Sequence, residues 1–231
     1  MKSPILITGV ARSGTSMVAG IVNICGAFKG NTQGVGKDNQ KGMFENLRIR
    51  NEIIKPYLRN ASVDPLCQYP LLDVNIMSIP IDLQNRVELI IQKEGYKSGD
   101  WMIKTPKLCL TYPMWHHAFP DAKWIIVRRK TSDIINSCLK TGFMRAFSKS
   151  QIQKAVGVDN ERDGWLWWVR QHERRFVEMI TFGLNVKIVY PERMVDGNYS
   201  QMKEAIEWLG LEWKRKEIID FIEPKLWKAK K

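Results

Sequence analysis

The chain has 231 residues, with 36 Lys and Arg against 24 Asp and Glu, a net charge of +12 and a pI near 9.6. A hydrophobic share of 44% and a charged share of 26% are ordinary for a globular protein and exclude a disordered or fibrous chain. No apolar run approaches the roughly 18 residues a membrane-spanning helix needs; positions 4–11, between Lys2 and Arg12, read as a buried strand and not as a signal peptide.

Short β-branched runs alternate with helical stretches, the pattern of a central parallel sheet flanked by helices on both faces, an α/β fold. Residues 5–8 are the first predicted strand, and 16–25 the first helix, stopped by Gly26. Helices follow at 47–58 and 82–94, the second opened by Asp82 as a cap and closed by Gly95. Strands are expected at 101–104 and 124–128, after which Ser132 caps a helix running to Leu139, ahead of Gly142. An aromatic helix at 165–180, a last strand at 186–190 and a helix at 201–209, closed by Gly210, complete the set. With no repeat and no linker, the chain reads as a single domain over 1–231.

Two segments do not look like framework. Residues 29–42 carry four glycines and almost no apolar side chain, so a mobile loop is expected; residues 143–163 are mixed and weakly helical. Long loops in a compact domain are functional or disordered, and both readings stay open. The cysteines, Cys25, Cys67, Cys109 and Cys138, are far apart with no C-x-x-C pair, which argues against zinc and a disulfide framework and for a reducing cytoplasm. The basic balance points to an anionic partner: nucleic acid, a membrane surface, or a small phosphorylated or sulfated ligand. A solvated tail accounts for part of it, since 214–231 holds seven Lys and Arg against three acids.

The most informative stretch is Gly9-Val-Ala-Arg-Ser-Gly-Thr-Ser16, which follows a strand and opens a helix. There, backbone N–H groups and the helix dipole cradle phosphate. Gly9 and Gly14 allow close turns, Ser13, Thr15 and Ser16 add hydroxyls, and Arg12 adds a planar charge. The spacing follows G-x-x-x-x-G-K-S/T, but Thr15 stands where the lysine of nucleoside triphosphatases belongs. No predicted strand ends in an Asp placed to hold Mg²⁺. The loop therefore reads as a phosphate site that needs no metal. A second anion site is expected where the strand at 124–128 runs into Arg128, Arg129 and Lys130, because ligands gather at the carboxyl ends of parallel strands. Arg129 and Ser137 are placed to grip one phosphate; taken alone, the cluster reads equally as a solvated rim.

With both motifs in view, the chain resembles the sulfotransferases that use 3′-phosphoadenosine 5′-phosphosulfate (PAPS), of the bacterial and viral type with a P-loop-like fold. Their 5′-phosphosulfate loop reads P/A-R/K-S-G-T-S/T, matched by Ala11 through Ser16. Their 3′-phosphate motif runs from an Arg to a Ser eight positions on, as do Arg129, Asp133 and Ser137, although Thr131 replaces a usual proline. Further echoes are Gly42-Met-Phe-Glu45, Lys104-Thr-Pro106, Phe119-Pro-Asp-Ala-Lys123, Tyr190 with Glu192 and Gly210-Leu211, and Phe221-Ile-Glu-Pro-Lys-Leu226. The resemblance implies PAPS as donor and 3′-phosphoadenosine 5′-phosphate (PAP) as product. Arg12, Ser13, Gly14, Thr15 and Ser16 would hold the 5′-phosphosulfate, and Arg129 with Ser137 the 3′-phosphate that ATP lacks. The acceptor, a small molecule, glycan, lipid or peptide, is not legible.

Sulfuryl transfer needs an in-line nucleophile, a base for its proton and cations for the leaving phosphate. Arg12 and Lys104 are the expected cations; for Lys104 a plain surface lysine is the competing reading. Family members with Lys-Thr-His use that His as base, but Pro106 occupies its place here. Glu45 resembles the Glu of the members that use one, and would need desolvation to become a stronger base. It reads nearly as well as an acid complementing a helix dipole. His116 and His117 fall near the end of a helix leading back into the strand at 124–128, at the amino edge of the sheet, and His172 falls mid-helix, packed or on the surface. Trp165, Trp167 and Trp168 line an acceptor pocket or, more commonly for such a helix, form core. The 29–42 and 143–163 segments are expected to act as lids. The competing functions are a P-loop small-molecule or nucleotide kinase, a basic nucleic-acid-binding module with steep salt dependence, and a degenerate member that binds PAPS without turnover. No helix-turn-helix, RNA-recognition motif or zinc finger supports nucleic acid.

Overall fold

The computed structural model describes residues 1–36 and 39–227; positions 37 and 38 of the glycine-rich segment and 228–231 of the basic tail lie outside the described residues. Four strands, β1 (Ile5–Gly9), β2 (Met102–Lys104), β3 (Lys123–Val127) and β4 (Val186–Val189), form one parallel sheet in the order β2-β1-β3-β4. Ile7 lies opposite both Lys104 and Ile125, and Gly9 opposite Val127. The two-residue period sends Ile5, Ile7, Ile125 and Val127 to one face and Leu6, Trp124 and Ile126 to the other. Both faces are apolar because both are covered.

The helices are α1 (Thr15–Ile24), α2 (Lys55–Asn60), α3 (Leu83–Lys93), α4 (Tyr112–Ala118), α5 (Thr131–Lys140), α6 (Ser150–Ala155), α7 (Glu161–Thr181), α8 (Pro191–Val195), α9 (Ser200–Leu209) and α10 (Arg215–Phe221). The Ile7 face packs under α1, α8, α9 and α10, and the Leu6 face under α2 to α5 and α7. The strand order reverses between β1 and β3, the point at which doubly wound sheets hold their ligands.

The predicted elements are present, with informative differences at their ends. Asp82 precedes α3 but does not cap it: its backbone is already near-helical, and its carboxylate lies 3.9 Å from Arg86. Ser132 falls inside α5, not at its cap. The helix α7 starts four residues earlier than expected, because Asn160 accepts from the Asp163 amide at 2.9 Å. The predicted helix at 47–58 winds as a π-helix over Ile49–Ile54 before α2. Pro56 has no N–H to give the Glu52 carbonyl four residues back; Arg86 donates to that oxygen instead, at 3.0 Å. The helix expected to end near His116 and His117 is α4; sequence reading missed the short α8 and α10 and the buried 3-10 turn Pro106–Thr111.

Candidate active site

A cleft of about 370 Å³ opens at the carboxyl edge of the sheet. Its first end is built where β1 and β3 stop side by side. A Cβ on Gly9 would come within 2.4 Å of the Val127 carbonyl oxygen, so only glycine lets the strands end that close. Gly14 caps α1 at φ 97 and takes the Met17 amide on its carbonyl, while the Thr15 and Ser16 amides have no carbonyl partner inside the helix. Between them Arg12 sits at φ 75, a conformation that costs a non-glycine residue roughly 1 kcal/mol. This turns its Nε to donate to Ser137 Oγ at 3.0 Å, while Arg129 donates to the Arg12 carbonyl at 2.9 Å. The two sequence-predicted anion motifs therefore form one connected cluster. Arg128 turns away to pair with Glu173. The Arg129 side chain is 7% exposed, lies 4.1 Å from the Trp227 ring centroid, and its Nε has no hydrogen-bond partner. Thr15 and Ser16 share the wall; Ser13 instead lies wholly beneath the loop, its Oγ buried and unbonded.

The middle of the cleft holds Lys104 and Glu45. Lys104, last in β2, is only 4% exposed, which removes the surface-lysine reading. Its ammonium donates to the Met43 carbonyl at 2.9 Å, Ser16 Oγ at 3.3 Å and Glu45 Oε1 at 3.4 Å. Glu45 is held in place by a short antiparallel pairing. The Gln33 amide donates to the Glu45 carbonyl and the Met43 amide to the Gln33 carbonyl, so the described part of the glycine-rich segment is pinned. Asn46, not Glu45, caps the helix that follows, accepting from the Ile49 amide at 2.9 Å. Burial alone pushes the Glu45 carboxyl up, but Lys104, Lys107 and Arg50 outweigh it and hold its pKa below the usual carboxylate range. Burial likewise pulls Lys104 below the ordinary lysine value, with Glu45 opposing. The expected desolvation of Glu45 is present, yet its cations decide the sign.

The cations of the far end were not anticipated. Arg50, Lys55 and Lys107 enter the cleft beside Leu66, Met144 and Trp168. Both loop segments contribute wall: Gln33, Gln40 and Lys41 from one, Phe143 and Met144 from the other. Gln68 ties the second segment down, donating to the Phe143 carbonyl and accepting from the Arg145 and Ala146 amides. Of the three tryptophans, Trp168 lines the cleft, Trp165 is core and Trp167 packs on the core's margin. His172 also lines the cleft, buried, its Nδ1 2.9 Å from the Trp168 carbonyl. Burial lowers its pKa to about 4, so the ring is neutral at pH 7 with Nδ1 donating and Nε2 left as an acceptor. His116 and His117 lie at the end of α4, away from the cleft. Among the described residues no group of His, Cys, Asp and Glu has the makings of a metal site.

Over residues 4–215 the chain matches the family model described as the sulfotransferase family. Sulfotransferase STF9 from Mycobacterium avium superposes with a TM-score of 0.63 at 16% identity, over 95% of this chain and 67% of that one. A sulfotransferase from Alicyclobacillus acidocaldarius gives 0.55 at 14%, over 98% and 88%. A sulfotransferase domain from the curacin biosynthetic pathway gives 0.54 at 14%, over 100% and 78%. At these identities the three show a shared fold. No curated protein matches the chain in sequence.

Proposed function

Because the chain belongs to the sulfotransferase family, we propose that it moves the sulfuryl group of PAPS to an acceptor hydroxyl or amine and releases PAP. The observation that carries this reading is the bonded cluster of Arg12, Ser137 and Arg129 at the strand-order reversal, next to the buried Lys104–Glu45 pair. The cluster suits a bisphosphorylated ligand. Arg129 Nε is buried without a hydrogen bond, 3.9 Å from Asp133 Oδ2, and Gly14 keeps the helix end open where a side chain would crowd it. The loop from Arg12 to Ser16 would take the 5′-phosphosulfate, and Arg129 with Ser137 the 3′-phosphate.

PAPS supplies the sulfuryl group and a phosphate as leaving group; positioning and charge come from the chain. The acceptor oxygen bonds to sulfur as the bond from sulfur to the phosphate oxygen breaks. The acceptor proton passes to Glu45, and Lys104 and Arg12 meet the charge on the departing phosphate. Lys104 bonds at once to Glu45 and to Ser16 of the phosphate loop. Any shift of its ammonium toward an anion at that loop loosens its hold on Glu45, and burial then raises the Glu45 pKa toward that of a working base. His172 offers a second reading for the proton acceptor, because its neutral ring borders the same cleft.

The test is calorimetric titration with PAP and with ATP in the absence of magnesium. Tight PAP and weak ATP binding, with PAP binding lost in Arg129→Ala, supports the donor site. Magnesium-dependent ATP binding without PAP binding overturns it in favour of a kinase. No helix among the described residues is long and apolar enough to cross a membrane, and the acceptor classes named from sequence remain those to screen.

A further inference from the structure

The charges lining the cleft do not balance at its far end. Glu45 is committed to Lys104, and at the rim Glu223 pairs with Lys41. Arg12 and Arg129 face the proposed donor site. That leaves Arg50, Lys55 and Lys107 with no ion pair to an acid among the described residues. Lys107 is the most telling, since it is only 8% exposed and its ammonium makes no hydrogen bond among the described residues. The stem of Lys107 is packed away and its unbonded ammonium borders the cleft, where an arriving anion would meet it.

The backbone brings the other two together. In the π stretch the Lys55 amide bonds to the Arg50 carbonyl, five residues back. That winding sets Arg50 and Lys55 above one another, where an α-helix would place them well apart around its axis. Burial first, then repulsion from Arg50, Lys107 and Arg59, pulls the Lys55 pKa below the ordinary lysine value. The opposing wall is apolar, formed by Leu66, Leu110, Phe143, Met144 and Trp168.

Resting on the sulfotransferase reading, we infer that the acceptor is a small amphiphilic anion: an alcohol or phenol on an apolar body that carries a carboxylate, sulfate or phosphate. The anionic group meets Lys107, Lys55 and Arg50, the apolar body lies against Trp168 and Met144, and the hydroxyl is left beside Glu45. This explains why a base held at low pKa stands in so cationic a pocket. The acceptor's own charge offsets the cations that depress it, so Glu45 becomes more basic when acceptor binds.

The probes are 6-hydroxy-2-naphthoate and its uncharged partner 2-naphthol, titrated by fluorescence into the PAP-saturated protein. The naphthoate is expected to bind at least about tenfold more tightly, and Lys107→Met and Lys55→Met each to remove most of that preference while leaving 2-naphthol affinity unchanged. Met fills the lysine volume without charge, and each variant's thermal midpoint verifies its fold. Equal affinities, or a preference that survives in both variants, overturn the inference. So does a heparin disaccharide that binds where the naphthoate does not, since it lacks the apolar body. If PAP does not bind, the donor reading fails, and the pair is titrated into the unloaded Arg129→Met protein. A preference for the naphthoate there, again lost in Lys107→Met, upholds the anionic pocket independently, and its absence removes it.

Discussion

At the Arg129 end of the cleft each anion-facing group follows a strand end, whereas at the Lys107 end the cations come from a π-helix and a 3-10 turn. In the first case Gly9 and Val127 are neighbours by sheet register, so the loop after β1 and the start of α5 have nowhere to go but together. In the second, Arg50, Lys55 and Lys107 converge through irregular winding and through the packing of α7 behind them. The lesson is that one half of the site is assembled by the hydrogen-bond ladder and the other by side-chain packing. The two halves should therefore respond differently to substitution.

The sharpest expected difference is in ligand binding. Arg129→Ala removes a nearly buried charge and should weaken PAP by roughly a hundredfold or more, measured by calorimetry, while leaving 6-hydroxy-2-naphthoate within about twofold. A comparable loss for both ligands would mean that the ends are not independent. Next is the residue between them. Glu45→Gln should cut turnover by about 10²- to 10⁴-fold with PAP affinity retained, whereas His172→Gln should cost far less. If the order is reversed, the proton goes to His172. Glu45→Ala should also lower stability by about 3 kcal/mol, because it leaves the buried Lys104 charge with no acid beside it; unchanged unfolding in urea would mean that the Met43 carbonyl and Ser16 hydroxyl suffice to hold it.

Acid should act on the far end. An unfolded imidazole takes a proton near pH 6.5, and the folded His172 refuses it until about 4. Between those values the unfolded state binds more protons, so stability is full above about pH 6.5 and falls as pH drops toward 4, by on the order of 3 kcal/mol for this group. Urea titrations at about pH 7 and about pH 5 should show about 2 kcal/mol of that loss in the wild type and less in His172→Gln; parallel losses would contradict a neutral buried ring. The smallest effect concerns Trp227. Its ring stacks on Arg129, and Trp227→Ala should free the guanidinium and tighten PAP by up to roughly fivefold. Weakened binding would instead make the ring part of the bound state.

The same contrast explains what could be read from the chain. Ala11 to Ser16, and Arg129 with Ser137, were legible because a strand, a turn and a helix impose fixed spacings on groups that share one anion. Lys104 was legible as a strand-terminal residue, and the fold followed from the apolar period of strands buried on both faces. Lys107, Arg50 and Trp168 carried no such spacing. Lys107 looks like any lysine three places after another until the 3-10 turn buries it, and His172 looks like helix interior until α7 is set against the cleft. Asp82 and Ser132 show the reverse, since residues that suit a cap did not become one, while Asn160 did.

The π winding at Ile49–Ile54 amounts to one extra residue carried within a helix. Were that stretch wound as ordinary α-helix with every residue kept, Lys55 would stand about 140° around the axis from Arg50 and out of line with it. The sheet, the phosphate loop and Lys104 would be untouched. Whether these two cations act on one anion is thus decided by how the helix is wound, and not only by which residues it carries.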